Sequence, residues 1–127
     1  MPVVSELKGG VLCLTLTGKY TFDEIALALE AGLAAAGPER TRVLWDGSEA
    51  TKAPDAKGVE RLIVLLHRCR ARLGRIAVVG PSGPMFGISR QIAQMLDGEE
   101  TPVQAFWDAD DARTWLHRRD SGVHSRV

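Results

Sequence analysis

The chain has 127 residues, of which 45% are hydrophobic and 25% charged, and its 16 basic side chains balance its 16 acidic ones. This length suits a single domain that folds without disulfides or metal ions, and the composition excludes wholesale disorder. Because the formal net charge is zero, the charge balance does not favour nucleic-acid binding, whose affinity comes largely from basic side chains that contact phosphates.

The cysteines and the N-terminal residues indicate the cellular compartment in which we expect the protein. Cys13 and Cys69 lie in apolar runs and not at CxxC spacing, so we expect buried free thiols rather than a disulfide. The first residues lack a signal-peptide pattern, and no run approaches the roughly 18 apolar residues of a membrane span. We therefore expect a cytoplasmic protein with no membrane span.

The chain opens with two short strands, residues 3–6 and 11–16. Between them, Gly9 and Gly10 tolerate the positive φ angles of a tight hairpin, so the strands should be antiparallel. Thr21 and Glu24 then form a capping-box pattern, which predicts the start of the first helix. That helix should end at Gly37, just before a proline.

The middle of the chain contains a nearly continuous apolar run, residues 42–45, which indicates a central parallel strand with Asp46 at its carboxyl end. Asp55 is suited to cap a second helix, for which Gly74 is the expected C-terminal stop. Basic residues on or near this helix form either a docking face for an acidic partner or an ordinary solvated surface. They are Arg61, His67, Arg68, Arg70, Arg72 and Arg75.

The rest of the chain continues the alternation of strands and helices. Residues 76–79 predict another buried strand, 80–84 a turn, and the following residues a third helix that buries Ile88, Ile92, Met95 and Leu96. Residues 103–107 predict the last strand, and Asp108 caps a fourth helix. We expect one α/β domain over 1–118 and a flexible tail over 119–127. Its order is β-β-α-β-α-β-α-β-α, with a mixed five-stranded sheet opened by an antiparallel hairpin and four helices.

Ligands of open α/β sheets gather at the carboxyl ends of the strands. The residues that should meet there are Asp46, Ser48, Asp55, Ala56, Ser82, Gly83 and Met85. Asp46 and Asp55 could act as general acid and base or hold a metal, or they could serve as a turn and a helix cap. We interpret residues 80–84 as a turn and not a phosphate loop, because the P-loop lysine is missing and its prolines remove N–H donors.

The histidines give no support to catalysis. His67 lies in the basic stretch of the second helix, and His117 and His124 lie at or beyond the last helix, so no serine has an evident base and no metal motif can be read. The aromatic residues Trp45, Phe86 and Trp107 could stack on a ligand, but their place in or beside buried runs favours the core. We therefore expect no enzymatic activity and no cofactor.

The element order and several local patterns resemble the STAS domain of bacterial anti-sigma-factor antagonists, in particular its small stand-alone branch grouped with lipid-binding CRAL-TRIO domains. The patterns are VLWDGS (43–48), APDAKGVERL (53–62), RIAVVG (75–80), AFWD (105–108) and ARTWL (112–116), and the resemblance covers residues 3–117. STAS antagonists present a phosphorylatable serine after an Asp at the start of the second helix. Here Asp55 and Gly58 match that pattern, and Ala56 stands at the serine position.

The resemblance implies a non-enzymatic binding and regulatory module. It would dock an unidentified protein partner or a small anionic ligand at the edge where strands end and helices begin, without a serine phosphorylation switch. One alternative is a CRAL-TRIO-like carrier of a lipid or another hydrophobic molecule, and another is a small hydrolase using Asp46. A homodimer is compatible with any of these readings.

Overall fold

The structure is a computed structural model that describes residues 3–51, 55–80 and 102–118, together with residues 87, 90, 91 and 94. Its strands are β1 (Val3–Lys8), β2 (Val11–Gly18), β3 (Thr41–Ala50), β4 (Leu73–Val79) and β5 (Val103–Phe106). The helices with described bounds are α1 (Phe22–Ala36), α2 (Ala56–Arg68) and α3 (Ala109–His117), and a short 3₁₀ helix (Arg70–Arg72) precedes β4.

The five strands form one sheet in the order β1-β2-β3-β4-β5. β1 and β2 pair antiparallel, while β2, β3, β4 and β5 are parallel to one another. The predicted mixed sheet with an opening hairpin is therefore confirmed. Gly9 and Gly10 provide the expected turn, with φ angles of 57° and 81°.

Three of the four predicted helices have bounds in the described residues. In the segment of the predicted third helix, residues 87, 90, 91 and 94 are helical and exposed. Its expected buried positions, Ile88, Ile92, Met95 and Leu96, lie outside the described residues, as does the predicted tail over 119–127.

The helices form a layer on each face of the sheet. α1 and α2 cover one face, where Leu12, Leu14 and Leu16 of β2 enter the larger hydrophobic cluster. α3 covers part of the other face, where Leu116 packs beside Val11 and Leu44. The alternation along β2 thus sends its leucines to one layer and Val11 and Cys13 to the other.

Local signals set both ends of α1. The Glu24 backbone N–H donates to the Thr21 hydroxyl at 3.2 Å, and the Thr21 N–H donates to the Glu24 carboxylate at 2.8 Å, which is the predicted capping box. The helix stops at Gly37, whose φ of 102° is a conformation that favours glycine.

The prediction that Gly74 ends the second helix is wrong. α2 ends at Arg68, with Cys69 as its C-cap, and Gly74 is the second residue of β4. The difference arises because Leu73 is fully buried and pairs with Thr41 of β3, so the strand begins there. Arg72 helps to fix this transition, since its guanidinium donates to the carbonyls of Leu33 and Gly37 at the end of α1, at 2.6 Å each.

Gly32 lets α1 lie close to the sheet. A Cβ atom at this position would come within 2.5 Å of the Leu12 Cδ1 atom, and Leu12 is itself buried on all sides. The glycine therefore removes a side chain where helix and strand approach, at the cost of lower helix propensity.

We expect Gly32→Val to lower the free energy of unfolding by about 2 kcal/mol or more, because the new side chain must displace a packed core residue. Urea unfolding of the purified protein measures this change. Ala35→Val is the matched control: Ala35 is exposed on the same helix, and its substitution should change stability by only about 0.5 kcal/mol. Equal losses in the two variants would contradict the packing argument.

Candidate functional site

The described site residues lie at the carboxyl edge of the sheet, meaning the ends of β2, β3, β4 and β5 and the segments that follow them. Because these strands are parallel, all three helices begin at this edge. Their N-caps are Thr21, Asp55 and Asp108. Ser82, Gly83 and Met85, which were predicted to share the edge, lie outside the described residues.

Asp46 and Ser48 lie within β3 and not in a loop, so the expectation that this strand ends at Trp45 is wrong. β3 continues to Ala50 through a bulge, in which Gly47 and Ser48 together face one residue of β2. One Asp46 carboxylate oxygen accepts hydrogen bonds from the Ser48 backbone N–H at 3.0 Å and from the Ser48 hydroxyl at 2.7 Å. This local contact stabilises the bulge and leaves Ser48 exposed.

Asp55 caps α2 as predicted. Its carboxylate accepts a hydrogen bond from the Gly58 backbone N–H at 2.8 Å, and its backbone is extended. Asp55, Ala56 and Lys57 are all exposed. The start of α2 is therefore a surface feature, and its first residue carries a methyl group and no hydroxyl.

Asp46 and Asp55 are each engaged in local hydrogen bonds. In the sheet, Asp46 pairs with Val79, which belongs to the cluster under α3, whereas α2 lies on the opposite face. Within the described residues, no group of three or more His, Cys, Asp or Glu side chains is placed to hold a metal ion. These contacts support the structural interpretation of both carboxylates over an acid and base pair.

The two described histidines lie at the other end of the sheet from Ser48. His67 is in the last turn of α2, and His117 ends α3, where its ring comes near the Gly9 turn of the hairpin. Serine nucleophiles generally require a base within hydrogen-bond reach. Within the described part of the chain, Ser48 has no histidine in a position to serve as one.

Trp107 is a feature of the carboxyl edge that the sequence reasoning placed in the core. It follows β5 directly, precedes the Asp108 cap and is 57% exposed. Phe106 instead turns inward, with its ring centroid 5.6 Å from that of Trp115. Trp45, by contrast, is 6% exposed and belongs to the core as expected. The sequence predicts Trp107 as the last residue of this strand, but β5 ends at Phe106, so the hydrophobic pattern gave no signal of its exposure.

The basic residues around α2 do not form one docking face. Arg75 is buried in β4, where it donates to the Trp115 carbonyl at 2.7 Å and lies over the Trp115 ring at 5.3 Å. Arg72 holds the end of α1, and Arg70 donates to the His67 carbonyl at 2.7 Å. These arginines stabilise the fold by joining its layers and helix ends.

The two cysteines are free and half-buried, so the prediction of free thiols is confirmed. Burial raises the pKa of the Cys13 thiol and of the Cys69 thiol above the ordinary value. A thiol with a raised pKa stays protonated at neutral pH and is a poor nucleophile. Neither cysteine therefore has the character of a catalytic residue.

We expect Asp46→Ala to lower the free energy of unfolding by about 1 to 2 kcal/mol, because it removes the acceptor that holds the bulge. Asp46→Asn keeps a side-chain oxygen and should retain most of the stability. Chemical denaturation of the three proteins measures the difference. A similar loss in both variants would show that the negative charge, and not the acceptor, is what matters.

Comparison with known proteins gives a family and a fold. No curated protein matches the chain. A solved structure of an uncharacterized protein from the DUF3478 family of Shewanella loihica PV-4, described as having a SpoIIAA-like fold, superposes with a TM-score of 0.64. It shares 19% sequence identity, and the match covers 90% of this chain and 91% of that one.

Within the described residues, none of the helices has the length and apolar character needed to cross a membrane.

The family model described as SpoIIAA-like matches residues 11–117, which include every described helix and all strands but the first. This chain therefore belongs to the SpoIIAA-like family and is a STAS-like domain.

Proposed function

We propose that the protein is a regulatory binding module that docks a protein partner at the carboxyl edge of its sheet. The observation that carries the proposal is the exposed start of α2: Asp55, Ala56 and Lys57 are all accessible, while the Asp55 carboxylate caps the helix from within the chain. Ser48 and Trp107 are also exposed at this edge. A partner could contact this surface without any rearrangement of the sheet.

The residue types at this edge suit protein recognition. An exposed tryptophan offers a large rigid contact area and is among the residues most enriched at the centres of protein interfaces. The first turn of α2 adds a helix N-terminus, which attracts a negatively charged group of the partner or a small anion. The short side chain of Ala56 leaves room for close approach there.

The module should bind its partner without a serine switch at the start of α2. Phosphorylation there would add about two negative charges beside a helix N-terminus, and alanine has no hydroxyl to accept the group. In this proposal, docking is constitutive at that position and is controlled by the concentration of the partner.

The hydrolase alternative has less support. The Ser48 hydroxyl donates to the Asp46 carboxylate at 2.7 Å, but the same carboxylate oxygen also accepts the Ser48 backbone N–H, which is the pattern of a turn. Catalysis by Ser48 would require a base and a group to stabilise an oxyanion, and the described histidines lie at the opposite end of the sheet.

The lipid-carrier alternative requires a cavity. The apolar side chains between the sheet and its first two helices are packed against one another, and Leu14, Leu16 and Leu29 are fully buried there. A large hydrophobic ligand would need space that this layer does not offer. Native mass spectrometry of protein isolated from its own cells tests the alternative, because a retained ligand would add its mass to that of the chain.

We expect Ala56→Lys to abolish capture of the protein partner, because a long charged side chain would fill the centre of the docking surface while Asp55 still caps the helix. The measurement is affinity capture from a lysate of the native cells, with captured proteins identified by mass spectrometry. The binding constant for the captured partner should weaken by about tenfold or more.

The matched control is Ala71→Lys, which places the same change on the exposed 3₁₀ helix after α2, at the opposite end of the sheet. This variant should capture the partner as the unaltered protein does. If Ala71→Lys loses the partner and Ala56→Lys keeps it, the docking surface lies elsewhere and the proposal is wrong.

A further inference from the structure

The outer surface of α1 and α2 carries exposed apolar side chains at positions where a helix that faces solvent usually has polar ones. Leu27 is 69% exposed and Val64 is 64% exposed. On α1, Ala31 and Ala34 extend the exposed apolar stripe from Leu27 along one side of the helix. α1 is thus apolar on its outer side as well as on its buried side, a pattern typical of a helix covered on both.

We call this surface the helical face, defined by Asp23, Leu27, Glu30, Ala31 and Ala34 of α1 with Glu60, Arg61, Val64 and Arg68 of α2. A groove of about 280 Å³ runs along it, lined by Phe22, Glu60, Arg61, Val64, Leu65 and Arg68. The groove lies on the flank of the domain, and the helix starts that form the proposed docking surface lie at its carboxyl edge.

Charge on the helical face is divided between the two helices. α1 carries Asp23, Glu24 and Glu30 and no basic residue, whereas α2 carries an excess of basic residues over its single acid, Glu60. Two ion pairs cross between the helices: Arg61 to Asp23 at 3.7 Å and Arg68 to Glu30 at 2.8 Å. On each helix the paired residues are spaced about two turns apart, so the helices run side by side in the same direction.

We propose that the helical face is the contact surface between two copies of this chain. A two-fold axis parallel to the helices would place α1 of one protomer over α2 of its partner, and α2 over α1. The acidic helix then meets the basic helix twice, and the exposed side chains of Leu27 and Val64 are brought together in the centre.

Charge complementarity favours a second copy over a uniformly acidic or uniformly basic partner. An acidic partner would be repelled by α1 and a basic partner by α2, whereas a second copy carries both signs in the matching order. The groove also fits this arrangement, because the Arg61 guanidinium lies over the Phe22 ring at 4.2 Å and leaves the centre of the face apolar.

The size of the helical face indicates a weak dimer. α1 has 15 residues and α2 has 13, which correspond to lengths of about 22 Å and 20 Å. With helix axes about 10 Å apart, the face covers about 400 Å² in projection on each copy, which is about half the area per partner of a standard specific interface. We therefore expect a dissociation constant in the micromolar range and rapid exchange between monomer and dimer.

The first experiment is sedimentation velocity of the full chain from about 1 µM to about 1 mM, a range that brackets weak association. The unaltered protein should shift from monomer to dimer, and Leu27→Glu should weaken the dimer by about tenfold or more. Val4→Glu is the matched control, because Val4 is 51% exposed on β1 and lies outside the helical face. A monomer throughout, or a dimer that Val4→Glu weakens and Leu27→Glu does not, would overturn the proposal.

A charge exchange tests the two-fold arrangement itself. One variant carries Asp23→Arg with Glu30→Arg, and a second carries Arg61→Glu with Arg68→Glu. Each variant alone should be monomeric, since like charges face each other, and an equal mixture should form a heterodimer. Each double variant also places like charges beside each other within one copy, but exposed charge pairs of either sign change stability by only about 0.5 kcal/mol each, so both variants should remain folded and unfold a few degrees below the unaltered protein at most. A mixture of two folded variants that stays monomeric would exclude the arrangement.

Discussion

The central position of β3 is the constraint from which the rest of the architecture follows. Leu44 and Trp45 are neighbours in sequence, and both are buried, one in each of the two hydrophobic clusters. A strand buried on both faces requires a layer above and below it, and its parallel pairing with β2 and β4 requires α1 and α2 to run back across the sheet. α3 begins at the same edge because it follows the parallel strand β5. All three described helices therefore begin at one edge, where accessible backbone and side chains are concentrated.

At that edge, groups that look reactive in the sequence have structural roles. Asp46 stabilises a bulge and Asp55 caps a helix, and both hydrogen-bond to residues two or three positions along the chain. These contacts occupy the carboxylates and leave Ser48 and Ala56 on the surface. Among the described residues, the edge therefore presents exposed side chains and an aromatic ring and no converging set of reactive groups, which supports the proposal of a binding module.

The arginines connect the layers in a way that the net charge does not reveal. Arg72, in the 3₁₀ helix before β4, binds the end of α1, and Arg75 and Arg42 both reach backbone carbonyls at the end of α3. These guanidinium groups reach carbonyls in the last turn of a helix or in the loop after it, and the Trp115 carbonyl accepts the Arg118 backbone N–H as well as Arg75. On the outer side of α1 and α2 the charges instead form exposed pairs around Leu27 and Val64, so the arginines that stabilise the fold differ from those of the proposed contact between copies.

Local interactions were readable from the sequence alone. The capping box of Thr21 and Glu24, the glycine hairpin and the Asp55 cap depend on residues within three positions of each other, and hydrophobic alternation assigned the strands and the α/β class. Tertiary structure decided the features whose partners are distant. β3 extends past Trp45 because β2 pairs with it across the bulge, and Arg72 and Arg75 find their acceptors 35 to 40 residues away. Trp107 is exposed because Phe106, and not Trp107, faces α3, and a hydrophobic pattern at the end of a strand cannot distinguish the two.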